Sequence, residues 1–224
     1  PDFETASFGT YAFDRFTVRK DLILNAGVRY DHVRTSIHSY RDWFKTPVSA
    51  TDSVFKERSE DLRRSFNSLT WSAGVNYSVG QWILKANVGK SFRVPIPKEL
   101  GTDGVNYHIF RYEKGNPGLN PEESYQLDAG IHWGNDRVTV QFDPYLNYFP
   151  NYIYMNPTPD YYEGLQWYYY TQSRVIRWGF ELQTDWKILP SLDAELKGEY
   201  LYAEQLSGEK KGYTLPFSTP WSAD

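Results

Sequence analysis

The stretch Leu22-Ile23-Leu24-Asn25-Ala26-Gly27-Val28-Arg29-Tyr30-Asp31 decides the fold class. Leu22, Leu24, Ala26, Val28 and Tyr30 fall on one face of an extended chain, and Asn25, Gly27, Arg29 and Asp31 fall on the other. That period of two belongs to a strand with one apolar and one polar face; a helix repeats every ~3.6 residues. The alternation returns at Trp82, Leu84, Ala86 and Val88 against Lys85, Asn87 and Gly89. It returns again at Tyr125, Leu127, Ala129, Ile131 and Trp133 against Gln126, Asp128, Gly130 and His132. Val138 to Asp143, Phe180 to Ile188 and Leu192 to Tyr200 repeat it. The chain is expected to be all-β, with about eight strands and the start of a ninth.

The ends of the apolar stripes suggest what they meet. Near the tight turns they carry rings, Tyr77, Trp82, Trp133 and Trp186, with smaller aliphatics in mid-strand. Rings at strand ends form the girdles of a membrane-spanning barrel. The opposite stripe is polar throughout and suits a water-filled lumen. Its acidic members Asp128, Asp143, Glu181, Asp185, Glu195 and Glu199 are spaced as wall residues, not as ligands converging on a metal. Composition agrees: 18% of the 224 residues are aromatic, 19 Tyr and 8 Trp among them, yet mean hydropathy is −0.63. The expected fold is an antiparallel transmembrane β-barrel. The competing architecture, a soluble all-β carbohydrate-binding module with an aromatic platform, would have to bury these stripes against one another in a dry core.

Connection lengths carry a second signal. Short links fall at Arg19-Lys20-Asp21, Val79-Gly80-Gln81, Gly134-Asn135-Asp136 and Leu189-Pro190-Ser191. Between them lie long ones, over 38–64, 95–122, 156–164 and 205–212. Such alternation is how outer-membrane barrels are wired, with tight turns at one rim and long loops at the other. Gln166 to Ile188 reads as one near-continuous strand, and Tyr213 to Asp224 as the opening of another.

Several classes are excluded. With no Cys there is neither a disulfide framework nor a thiolate metal site. A net charge of −4 without a basic cluster disfavours nucleic acid. No apolar run reaches the ~18 residues of a transmembrane helix. No G-x-S-x-G, H-E-x-x-H, phosphate loop or dinucleotide fingerprint is present, so neither an enzyme nor a cofactor is expected. Pro1 opens the chain without a leader pattern, and both ends are expected to be cut from a longer protein.

Ser91-Phe92-Arg93-Val94-Pro95-Ile96-Pro97-Lys98-Glu99-Leu100, followed by Gly115-Asn116-Pro117-Gly118-Leu119-Asn120-Pro121-Glu122, resembles the TonB-dependent outer-membrane receptor family. Val94 departs mildly from the family's commoner alanine. Gly27-Val28-Arg29-Tyr30-Asp31, 71–77 and Gly179-Phe180-Glu181-Leu182 extend the resemblance over residues 1–224. It implies part of a barrel of about 22 strands, with the N-terminal plug and the closing C-terminal strands outside this segment. It also implies an outer-membrane transporter that imports a scarce nutrient, an iron–siderophore complex first, by outer-loop capture and TonB-driven plug movement. The implied partners are outer-membrane lipid, a TonB-type energy-coupling protein acting through the plug, and a small-molecule ligand: a siderophore, alternatively haem or another nutrient. The motif residues Phe92, Arg93, Pro95, Glu99, Asn116, Pro117, Leu119, Pro121 and Glu122 are expected to be structural, with Glu122 and Glu123 pairing to Arg93 or Arg111.

Candidate ligand contacts are few. His108, beside Tyr107 and near Arg111, resembles a haem-ligating position of haem-uptake members, although a plain loop histidine is the preferred reading. Tyr154, Tyr162, Trp167 and Tyr169 belong to an aromatic cluster that runs from Tyr152 to Tyr170 on a hairpin tip. Rings there either stack on a ligand or pack the loops and girdle, with packing the favoured reading. The run from Lys56 to Arg64 is expected to be a solvated loop of mixed charge.

Overall fold

The computed structural model describes residues 2–43, 45–47, 49–215 and 221–223. Its elements are β1 (Phe3–Arg19), β2 (Leu22–Ile37), β3 (Tyr40–Arg41), β4 (Thr46–Pro47), β5 (Ser53–Val54), β6 (Glu57–Ser59), β7 (Leu62–Val79) and β8 (Trp82–Arg93). There follow α1 (Pro97–Gly101), β9 (Asp103–Asn106), β10 (Arg111–Lys114), β11 (Glu122–Gly134), β12 (Val138–Tyr162), β13 (Leu165–Leu189), β14 (Leu192–Gln205) and β15 (Trp221–Ala223). The long strands form one antiparallel sheet in sequence order, β1-β2-β7-β8-β11-β12-β13-β14, which β15 continues. It is an open, partial barrel wall.

Register converts the period-two pattern into two continuous surfaces. Ala26 lies opposite Ala73, Ala73 opposite Val88, Val88 opposite Leu127, and Leu127 opposite Leu146. On the other face Gly74 meets Asn87, Asn87 meets Asp128, Asp143 meets Glu181, and Glu181 meets Glu199. The apolar surface is exposed: Leu127 is 50% accessible, Leu196 56% and Trp186 53%. A soluble sandwich would bury such a surface, whereas lipid covers it in a membrane. The carbohydrate-module architecture is therefore not favoured.

The girdle-to-girdle height of this surface approaches the ~25 Å apolar band of a membrane barrel. Trp82 and Trp133 sit together at the short-turn rim, ring centroids 6.4 Å apart. Tyr125, opposite Lys90, lies eight residues farther up the wall. That is ~27 Å along the strand, or ~20 Å along the membrane normal at the usual barrel tilt. Tyr30, Tyr148, Trp178 and Tyr202 complete the upper girdle on neighbouring strands. On β1 the outward stripe of Phe8, Thr10, Ala12 and Phe16 is interrupted by Asp14, for which the structure offers no account.

One expected connection is corrected. Residues 156–164 are not a long loop: β12 and β13 continue to a two-residue turn at Glu163-Gly164, both with positive φ (50° and 80°). Glycine suits that turn because it has no Cβ to crowd the left-handed backbone. Pro157 and Pro159 are tolerated within the strand because β11 reaches only Glu122 and leaves the upper part of β12 unpaired on that edge. A proline there sacrifices no ladder bond. At the C-terminal end, where a strand was expected from Tyr213 to Asp224, residues 213–215 are not strand and Trp221–Ala223 are, while 216–220 and Asp224 lie outside the described residues.

The run from Lys56 to Arg64 is not uniformly solvated either. Leu62 to Arg64 already belong to β7, and Arg58 is drawn inward by Asp42, Nε to Oδ1 2.8 Å.

Candidate functional site: the outer mouth

The link between β8 and β11 carries most of the motif residues, and it folds back against the wall. Ile37 and Phe66 from the wall, Leu100 and Leu119 from the link, and Ile153 and Tyr170 from the tall hairpin form one buried cluster. Val94 packs against it. Burying several large apolar side chains, each worth ~1.5–3 kcal/mol, gives the link a core of its own.

Charge holds its two ends. Arg93 donates from Nη1 to Glu99 at 2.8 Å and from Nη2 to Glu122 at 3.2 Å. Glu99 also accepts the Ile96 N–H at 2.9 Å, which closes the first turn of α1. Glu122 accepts the Ile153 N–H at 2.7 Å, tying the link to β12. One guanidinium thus fastens the end of β8, the start of α1 and the start of β11. Glu123 pairs instead with Lys90, at 2.6 Å. Pro95 is fully buried. The carbonyls of Pro117 and Leu119 accept from Arg64, that of Pro121 accepts from Asn151, and Asn116 Oδ1 accepts the Gly118 N–H. Phe92, half-buried, lies opposite Glu123.

The hairpin β9–β10 is a second anchored unit. β10 pairs with β13 in parallel, Tyr112 to Lys114 alongside Trp167 to Tyr169. Glu113 is only 2% exposed. It accepts from Lys98 at 2.6 Å, from Arg111 at 2.8 Å and from Asn106 at 3.0 Å. Burial pushes its carboxyl up, but these three donors outweigh burial and hold it below the ordinary carboxylate value. Arg111 therefore pairs within its own strand and not with Glu122 or Glu123. Its guanidinium carbon lies 4.7 Å from the Tyr168 ring centroid.

Rings join this hairpin to the tip of β12–β13. Tyr112 stacks on Trp167 (centroids 5.2 Å, interplanar angle 17°) and leans on Tyr162 at 4.8 Å. Lys114 lies 5.5 Å from the Trp167 ring, and Lys56 lies 4.0 Å from the Tyr162 ring. The column Lys56, Tyr162, Tyr112, Trp167, Lys114 thus spans three outer segments with a cation at each end. Tyr112 donates its hydroxyl to Asp103 at 2.6 Å, and burial with that bond raises its phenol well above the usual value.

A cleft of about 420 Å³ opens beside the column. Tyr40, Asp42, Arg58, Lys98, Tyr107 and His108 contribute to its lining. Tyr107 and His108 are exposed at the β9–β10 turn, with the Tyr107 hydroxyl 3.4 Å from Arg58 Nη2. Of the residues singled out for ligand contact, Tyr107 and His108 reach this cleft, while Tyr162 and Trp167 enter the ring column. Tyr154 is buried, Tyr169 lies in the β12–β13 ladder opposite Asn156, and Arg111 serves Glu113. Sequence reasoning missed Tyr112, Glu113 and Arg58, because only tertiary pairing shows what they hold. Among the described residues no group of three or more His, Asp or Glu side chains could hold a metal.

Comparison with known proteins agrees with this architecture. No curated protein sequence matches the chain. Among solved structures, the copper transporter OprC superposes with a TM-score of 0.77 at 16% identity, covering 99% of this chain and 32% of that one. The ferric-catecholate import receptor Fiu from K12 E. coli gives 0.68 at 18% identity, covering 99% and 31%. The Serratia marcescens hemophore receptor HasR, in complex with its hemophore HasA and heme, gives 0.69 at 21% identity, covering 88% and 34%. The chain therefore spans about a third of the length of these receptors. The model of the TonB dependent receptor-like β-barrel matches residues 1–224, and the chain belongs to that family of outer-membrane barrels.

Proposed function

We propose that this segment forms part of the wall and outer mouth of a TonB-dependent transporter that imports a scarce metal chelate, an iron–siderophore complex first. The observation that carries this reading is the anchored link between β8 and β11. It sets a cleft lined by Tyr40, Tyr107 and His108 and by Arg58 and Lys98, these two paired with Asp42 and Glu113, at the long-loop rim of a lipid-facing wall. Phenol rings and cations of this kind supply stacking area and charge-assisted bonds to an oxygen-rich chelate. The names of the similar structures, a copper transporter, a ferric-catecholate receptor and a hemophore receptor, point to metal-bearing cargo as the class. Import then follows the family's scheme, in which the cleft binds the chelate and a TonB-type protein pulls on a plug to release it inward.

The test uses the full-length receptor in detergent, titrated calorimetrically with ferric catecholate and ferric hydroxamate siderophores, haemin and cobalamin. A ferric siderophore should bind, and Tyr107→Ala with His108→Ala should weaken it at least about tenfold, or ~1.4 kcal/mol. Binding of cobalamin alone, or of no chelate, would sink the siderophore reading.

A further inference from the structure

Below the mouth, the lumen face of β12 and β13 holds four polar side chains that nothing in the chain satisfies. Arg177 lies opposite Asn147, and Tyr145 lies opposite Gly179, so all three side chains share the face of Asp143 and Glu181. Tyr145 and Arg177 are diagonal neighbours, with Cα atoms ~7–8 Å apart. A Cβ on Gly179 would stand 2.8 Å from the Tyr145 hydroxyl, so this glycine lets the phenol lie against β13. Tyr152, beyond the bulge that follows Phe149, lies opposite Ser173 on the same face. Its ring meets the Phe149 ring edge-on, centroids 5.2 Å apart. Both phenols lie close enough to Arg177 to feel its charge. Among the described residues none of the four side chains makes a hydrogen bond or an ion pair, and the Arg177 Nε is buried without a partner.

Position and charge set this group apart from the mouth. Ile176 and Trp178, on either side of Arg177, face lipid, and Tyr148 of the upper girdle lies opposite Ile176. Arg177 therefore stands at the level of that girdle, on the water side of the wall. The cations of the mouth are already neutralised: Arg58 by Asp42, Lys98 and Arg111 by Glu113, and Arg93 by Glu99 and Glu122. Arg177 has no such carboxylate. The nearest on its face by register are Asp143, Glu181 and Glu199, one row that lies four residues nearer the short-turn rim. That is ~13 Å along the strand. A guanidinium has donors and no acceptor, and a phenol hydroxyl is a further donor. Donors held partly out of water without acceptors are unfavourable until a ligand supplies oxygen atoms.

We infer that Arg177, with Tyr145, Asn147 and Tyr152, forms a second station for the chelate below the mouth cleft, and that it takes a chelate with anionic oxygens, catecholate or carboxylate, in preference to a cationic one. The inference rests on the proposed import of a metal chelate and adds the charge class of that cargo. The guanidinium fork matches a pair of anionic oxygens, and the phenols add hydrogen bonds and stacking area around it.

The experiment titrates the full-length receptor calorimetrically in an uncharged detergent. A ferric tris-catecholate and ferric citrate serve as anions, and ferrioxamine B as a cation. At least one anion should bind the native receptor more tightly than ferrioxamine B does. Arg177→Gln should weaken that anion at least about tenfold and leave ferrioxamine B unaffected. Added salt should weaken the anion less in the variant than in the native receptor. Because the guanidinium has no partner to lose, the variant should melt no lower than the native protein. Unchanged affinity for the anion overturns the inference; a lower melting temperature beside it would show that Arg177 pairs with another part of the receptor. Equal loss of anion and cation binding marks a structural role and overturns it as well. Binding of ferrioxamine B without either anion refutes the station and leaves siderophore import standing. Binding of none of the three sinks the import proposal, and the inference with it. Should Arg177→Gln not fold, Arg177→Lys keeps the charge and loses the fork. Several-fold weaker anion binding then supports the inference, and undiminished binding refutes it.

Discussion

Glu113→Gln is the substitution whose consequence the structure specifies most fully. The carboxylate is 2% exposed and holds Lys98, Arg111 and Asn106 within 3.0 Å. Removing one member of a fully buried ion pair costs ~3–5 kcal/mol. Here the side chains of Lys98 and Arg111 are 43% and 28% exposed, so water takes back part of what they lose. The amide also keeps one acceptor oxygen. The expected cost is therefore nearer ~2 kcal/mol, and it should appear as local opening of β9–β10, because the wall does not depend on Glu113. In hydrogen–deuterium exchange on the full-length receptor, amides of 103–106 and 111–114 should exchange ~30-fold faster, while those of β7 and β8 stay unchanged. Acid should do the same to the native protein. A carboxylate held below its ordinary value contributes stability that is complete above ~4.3 and is lost as pH falls through the lower folded value. Hairpin protection should thus hold from neutral pH down to the ordinary carboxylate range and fail only below it. Unchanged exchange in Glu113→Gln, or protection lost already near pH 6, would refute the anchoring argument.

Other perturbations follow from the same geometry. Gly115→Ala places a Cβ 2.8 Å from backbone atoms of Leu100, Gly101 and Thr102, none of which can swing aside, so the link should lose ~1–3 kcal/mol and show raised protease sensitivity over 94–121. Leu127→Arg puts a charge on the lipid face and should cost ~2–4 kcal/mol in vesicle-folding titrations, whereas Asp128→Asn on the lumen face should cost far less. A double-mutant cycle of Tyr112→Leu and Trp167→Leu should give a coupling of ~0.5–1.5 kcal/mol, read by exchange at the β10–β13 ladder.

The wall was legible in the sequence because a membrane barrel writes its two faces into alternate residues. Register then needed only the tight turns at 20–21, 80–81 and 135–137. The tall hairpin was half legible. The strand from Gln166 was evident, but 156–164 was expected to be a long link, since sequence does not show that β12 has outrun its neighbour β11. The mouth was least legible. The role of Arg93 followed from the motif, whereas Glu113, Tyr112 and Arg58 act through partners up to 55 residues away: Asp103, Tyr162 and Trp167 for Tyr112, Lys98 for Glu113, Asp42 for Arg58. Such pairings leave no local period to read.

The central claim is that one face of this sheet meets lipid and the other meets water. Because the segment contains no Cys, spin labels can be placed singly from Gln126 to Trp133 in the full-length receptor, with any cysteine elsewhere removed. Collision rates with oxygen and with a polar nickel chelate, measured in bilayers, should alternate. Leu127, Ala129, Ile131 and Trp133 should favour oxygen, and Gln126, Asp128, Gly130 and His132 should favour nickel. Uniform access to nickel on both faces would contradict the account and return the chain to a water-soluble sheet.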